Sequence, residues 1–197
     1  MKTRTALCST LLVVTAATAC SSSDSADSKP AKATTRASST PTTSVSAKAD
    51  TGSPLKLGTG HHWTDTDLDG SHISGTTTAL SYTQPAKVDL PDGAADFPDG
   101  EWAILEIKLC ADDTSTNVQT AQGPWNLGFP DDSRLAAPGL SGGGVPKPEY
   151  PVDGATLTPG ECLRGKITFS VEKGTRPDRI IYAVDGRDPV TWTVPKA

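Results

Sequence analysis

Three aspartates at alternate positions, in Asp65-Thr66-Asp67-Leu68-Asp69-Gly70, are the most chemically suggestive string in this 197-residue chain. Carboxylates at positions 1, 3 and 5 followed by Gly at 6 can converge on a hard cation such as calcium. The twelfth position of such a loop requires a bidentate Glu and is Thr76 here; the eighth, ordinarily aliphatic, is His72. The flanks alternate as strands do, and a hairpin turn accounts for the same residues, with Asp supplying turn chemistry. All three histidines, His61, His62 and His72, surround this turn. Adjacent His61 and His62 point to opposite faces of a strand, so at most one joins His72. Across the hairpin His72 would approach His62 or Asp65, giving a partial zinc or copper site that no nearby Cys or Met completes. The metal candidates are thus Asp65, Asp67, Asp69 and His72, set against a reading in which all are surface and turn residues.

Catalytic patterns are thinner. Gly139-Leu140-Ser141-Gly142-Gly143 has the Gly-x-Ser-x-Gly form, but it lies in a Gly/Pro-rich stretch and no His follows it; a nucleophile elbow needs a strand-turn-helix and a later Asp and His. The pairs Asp112-Asp113 and Asp131-Asp132 are adjacent in sequence and read as turn residues, whereas acid–base work needs carboxyls opposed across a pocket. No catalytic residue is assigned. Trp63, Trp102, Trp125 and Trp192 offer a sugar-stacking platform, yet a sandwich core has the stronger claim on Trp102, Trp125 and Trp192. Tyr150, between Glu149 and Pro151 in the second long loop, is a better candidate than these tryptophans for a partner-facing aromatic, set against a reading in which it serves the fold.

The elements that must position these residues follow a cysteine. Lys2 and Arg4 precede a mostly apolar stretch from Ala6 to Ala19, which ends in Thr18-Ala19-Cys20 and gives way to a Ser/Thr tract. That is the pattern of an export signal; the stretch is too short and too rich in Thr for a spanning helix, which needs about 20 apolar residues. With Cys20 at the first mature position, the segment resembles the lipobox of bacterial lipoproteins, with Ala17 where Leu is usual. The resemblance implies removal of residues 1–19 and a diacylglycerol thioether on Cys20. A plain secretory signal is the competing reading.

Residues 20–54 hold no aromatic side chain and, among larger aliphatics, Val45 alone. Such a segment cannot bury enough apolar surface to offset chain entropy, so a disordered tether is expected, spanning roughly 30 Å on average. Its Ser and Thr clusters are possible acceptors of O-linked sugars. All Trp, Tyr and Phe lie in residues 55–197, enough for one domain with a core. Losing Lys2 and Arg4 leaves 16 Lys+Arg against 23 Asp+Glu, a net charge of −7. With no basic stripe, neither nucleic acid nor anionic lipid is an expected partner; the lipid on Cys20 would supply membrane attachment. Cys8 leaves with the signal and Cys20 takes the lipid, so Cys110 and Cys162 remain, and in an exported domain they are expected to form a disulfide.

The domain shows short alternating runs and almost no helical period. Strands are predicted over Gly60–Asp65, Ser74–Gln84, Glu101–Ala111, Trp125–Phe129, Arg134–Ala136, Cys162–Val171, Arg179–Val184 and Val190–Val194. Hairpin-type turns are predicted at Asp69-Gly70, Asp131-Asp132, Lys173-Gly174 and Asp185-Gly186, and a type II turn at Pro159-Gly160. Ala103, Leu105, Ile107 and Leu109 should face the core, as should Leu163, Ile167, Phe169 and Val171; both cysteines fall on the polar parity, which predicts a staple near a sheet edge or strand end. Two long loops remain, Pro85–Gly100 and Ala137–Pro159, the second expected to be mobile or to bind. The fold class is an all-β, antiparallel β-sandwich.

The runs Glu101-Trp102-Ala103-Ile104-Leu105-Glu106-Ile107-Lys108-Leu109-Cys110, Pro124-Trp125-Asn126-Leu127, Leu157-Thr158-Pro159-Gly160-Glu161-Cys162-Leu163-Arg164-Gly165, continuing into Ile167-Thr168-Phe169, and Arg176-Pro177-Asp178-Arg179-Ile180-Ile181-Tyr182 carry a resemblance in their ordered combination. Residues 58–194 resemble the domain-of-unknown-function family numbered forty-three fifty-two. Its members are immunoglobulin-like domains in lipoproteins of actinobacteria and other Gram-positive bacteria, distantly related to a secreted mycobacterial immunoprotective antigen. The resemblance implies an immunoglobulin-like fold and extracytoplasmic display and brings no catalytic set. The expectation is a lipoprotein on the extracytoplasmic face of the cell membrane, a non-catalytic module with a protein or cell-wall partner and no cofactor. The alternatives are a metal-dependent binding module and, behind it, a cell-wall hydrolase.

Overall fold

The computed structural model describes residues 52–90 and 95–196. Cys20, the signal and nearly all of the predicted tether lie outside the described residues. Among these, the regular structure is entirely β: β1 (Leu55–Lys56), β2 (His61–Thr66), β3 (His72–Thr83), β4 (Glu101–Ala111), β5 (Val118–Thr120), β6 (Trp125–Gly128), β7 (Arg134–Ala136), β8 (Ala155–Leu157), β9 (Cys162–Val171), β10 (Arg179–Tyr182) and β11 (Val190–Thr193). No helix among them is long and apolar enough to cross a membrane.

Two sheets face each other, one in the order β1-β11-β10-β6-β7 and the other β2-β3-β4-β9, with β5 and β8 forming a separate pair. All pairings are antiparallel except β1 with β11, where Leu55 lies beside Trp192. The alternation in β4 and β9 builds the interior: Leu105, Ile107, Ile167 and Phe169 are fully buried against Trp125, Leu127, Ile180 and Trp192 from the opposite sheet. The Trp192 indole N–H is satisfied by the carbonyl of Thr59 at 2.8 Å. A second, smaller cluster of Trp63, Leu109, Ala111, Val118 and Leu157 fills one end.

The predicted turns form where expected. Gly70, Gly160, Gly174 and Gly186 all adopt positive φ, as does Asp132 at 66°. The Glu161 N–H closes the Thr158-Pro159-Gly160 turn on the Thr158 carbonyl, which needs φ > 0 at its third residue and therefore Gly. Lys173-Gly174 is not a hairpin: β9 and β10 belong to different sheets, so this turn carries the chain across the sandwich. Cys110 and Cys162 are directly opposed on β4 and β9 and are disulfide-bonded, with Cα atoms 4.0 Å apart. The staple thus joins neighbouring strands at their ends, as the polar parity of both cysteines implied.

Three expectations are corrected. Trp102 is only half-buried and lies on the outer face of β4, opposite Ser170; its even position makes the core face inaccessible to it. Thr168 and Ser170 keep the outer parity but are buried; at Ser170 the segment before β4 covers the strand, with Asp96 donating its N–H to Ser170 Oγ at 3.1 Å. Tyr150 does not face a partner: its ring is fully enclosed in the core. Its N–H bonds the Lys166 carbonyl, which lays the chain before it along the edge of β9. Gly165 permits this approach, since a Cβ there would lie 2.6 Å from Tyr150 N.

Candidate functional site

The 65–70 aspartates close a hairpin. Asp65 Oδ1 accepts the Thr66 N–H, Asp67 Oδ1 the Leu68 N–H, and Asp69 Oδ1 the Ser71 N–H, all within 2.8 Å. The Thr66 N–H, with Arg187 behind it, holds the Asp65 carboxyl below the usual range. Ser71, through its side chain and then its backbone, does the same for Asp69. Strand period separates the rest. Asp65 is paired with Ile73 and shares the inner parity with Trp63, while His72 is opposite Thr66 on the outer face. His62 instead meets Asp112, Nε2 to Oδ2 at 2.8 Å, and that contact is the first cause of a lowered Asp112 carboxyl. Among the described residues, no group of three or more His, Cys, Asp or Glu is placed to hold a metal ion.

The catalytic strings are likewise built into turns. Ser141 sits in an irregular loop where Gly142 donates its N–H to Glu149, itself ion-paired with Lys147. Asp131 accepts from the N–H and hydroxyl of Ser133, and Asp132 pairs with Arg179 at 2.9 Å. Asp112 is held by His62, and Asp131, held by Ser133, lines one cleft together with Glu172.

A concave site does form where the sheets part. β5 and β8 cap the end of the sandwich, and between β5 and the β2–β3 hairpin lies a cleft of about 360 Å³. Its floor is apolar: Trp63, Ile73, Val118 and Tyr182. Its rim carries Asp67, Asp153 and Arg187. The Arg187 guanidinium lies 4.8 Å over the Trp63 ring and its Nε donates to Asp65. That stacking covers the indole face, while the indole N–H is spent on Thr77 Oγ1 at 2.9 Å. A sugar-stacking platform on Trp63 is therefore closed. Burial raises the Tyr182 phenol, which stays neutral as a wall of the cleft.

A second cleft, of about 430 Å³, opens at the other end between Phe97, Phe129, Leu135 and Arg176. Arg176 is committed to the carbonyls of Gln84 and Pro195. The first cleft was missed in the sequence because β5 and β8 are three-residue strands inside stretches read as loop. The only available signal was the brief alternation in Val118-Gln119-Thr120 and Ala155-Thr156-Leu157.

No protein-family model matches the chain, and no curated protein does. Among solved structures, it is similar to the crystal structure of MPT63, a secreted protein from Mycobacterium tuberculosis. The TM-score is 0.53 at 21% identity, over 71% of this chain and 97% of that one. The fold is MPT63-like. At that identity the likeness to MPT63 carries the architecture alone, an all-β immunoglobulin-like sandwich.

Proposed function

We propose that the chain is an extracytoplasmic lipoprotein in which Cys20 carries the lipid, residues 20–54 serve as a spacer, and the sandwich acts as a non-catalytic binding module at the cell envelope. The observation that carries this reading is the Cys110–Cys162 disulfide, a bond that persists in oxidising compartments, in a chain that begins with an export-type segment ending at Cys20. The resemblance to immunoglobulin-like lipoprotein domains belongs to the same proposal, and the MPT63-like fold is compatible with it. Turn-bound carboxylates and a Ser141 loop tied to Glu149 favour binding over chemistry. The cleft beside Trp63 is the surface assigned to that binding.

The test is fractionation of cells producing the native chain or Cys20→Ala. The native protein is expected in the membrane fraction, with a mass at its N-terminal peptide that includes acyl chains. The variant is expected free in the soluble exported fraction and still disulfide-bonded. Retention of Cys20→Ala on membranes without detergent would refute the tether.

A further inference from the structure

We infer that the cleft beside β5 is a strand-addition site for an extended basic peptide segment, with two basic residues about four positions apart. The inference rests on the binding-module reading above and specifies its partner.

The first observation is an open edge. β5 is paired on one side only, with β8. Five consecutive residues, 117–121, line the cleft, including those whose side chains point to opposite faces; a strand presents such a run only along its edge. Both flanks of this edge are fixed, because Thr116 donates its N–H to the His72 carbonyl and Gln122 to the Pro151 carbonyl. The contrast with β9 is informative, since its edge is engaged at Lys166 by the chain leading to Tyr150. Unpaired strand edges are templates for another strand, and extended peptides bind by this mode through main-chain hydrogen bonds.

The second observation is charge. Asp67 lies beside one end of β5 and Asp153 beside the other, where Gly154 approaches the Thr120 carbonyl. Both are exposed, and neither has a cationic partner among the described residues. Residues 117 and 121 are separated by roughly 13 Å at about 3.3 Å per residue, which sets the spacing of complementary charges on an added strand. Arg187, the cation on this wall, is already paired with Asp65 and stacked on Trp63, so its charge is matched and Asp67 and Asp153 are left as the unmatched charges of the cleft. An acidic partner would meet Asp67 and Asp153 unpaired, and a glycan would find the Trp63 face already covered.

The test uses the full-length isotope-labelled protein in detergent micelles, so that its outcome does not depend on whether Cys20 is acylated. The probe is a nine-residue peptide alternating Val and Thr with Lys at its third and seventh positions; controls carry Glu at those positions or Lys at the third and fifth. The Lys peptide is expected to shift amide resonances of residues 117–121 and the Trp63 indole, and to bind the Asp67→Asn/Asp153→Asn variant about tenfold more weakly, the size expected for two rim charges. Raising the salt should weaken it similarly. Equal binding of the Glu peptide, equal affinity of the double variant, shifts centred elsewhere or no binding at about 1 mM would each overturn the assignment. Concentration-dependent dimerisation through 117–121 would overturn it too, by giving the edge to a second copy. Any of these with Cys20→Ala still released from membranes would remove the cleft assignment and leave the tethered module standing.

Discussion

The Tyr150 hydroxyl lies 2.5 Å from Thr120 Oγ1, and its carbonyl accepts the Gln122 side-chain N–H at 2.7 Å. Both partners are buried, so the ring joins the core, the β5 strand and the chain along β9 in one place. Tyr150→Phe leaves a buried hydroxyl without its partner, and denaturant unfolding should show a loss of about 1–2 kcal/mol. Tyr150→Ala should lose about 3–5 kcal/mol and expose residues 142–144 to protease. Glu106 behaves differently. Arg164, 3.0 Å away, is the first cause of its lowered carboxyl. A carboxyl depressed by folding stabilises at pH values above its unfolded pKa, and that contribution is lost as pH falls through its lower folded pKa. Arg164→Gln should move the Glu106 titration, read by NMR, back up toward the ordinary range. It should also flatten the acid limb of the stability curve only slightly, since Arg164 is exposed and solvent screens the pair.

At the scale of elements, β4 and β9 were legible because ten-residue alternation fixes a face, and the cysteines' parity followed from it. β7, only three residues long, was legible beside its Asp131-Asp132 turn, but β5 and β8 were not. They exist because their Val118 and Leu157 complete the cluster around Trp63 and Leu109, a long-range fact. The same limit explains Lys173-Gly174. The dipeptide specifies a tight turn, but whether the strands on either side pair depends on which sheet each joins. The disulfide is an element-scale feature as well. It closes a loop of 52 residues in sequence, worth up to about 4 kcal/mol by chain-entropy arguments. Cys110→Ser/Cys162→Ser should therefore lower unfolding stability by about 2–4 kcal/mol. Because ten residue pairs join β4 and β9 beyond and including the staple, the variant should keep its β-type circular dichroism. Native protein, once denatured without reductant, should give no thiol labelling at either position.

For the molecule as a whole, architecture was readable and partner-facing surface was not. Between Glu149 and Pro151, in a loop rich in Gly and Pro, Tyr150 reads from sequence as a candidate for the surface. Folding placed it inside because Gly165 leaves room for that loop to lie on β9. Asp67 and Asp153 are 86 positions apart in the chain, and only the meeting of two loops at the end of the sandwich sets them on one cleft. The partly engaged β9 edge has a consequence for assembly. An open-ended fibre propagated through the four-stranded sheet would need β2 of one copy to add to β9 of the next, a head-to-tail contact that never closes on itself. With the middle of the β9 edge already engaged at Lys166 by its own chain, an incoming strand could not pair along the whole edge, and a continuous sheet by that path is interrupted at every copy.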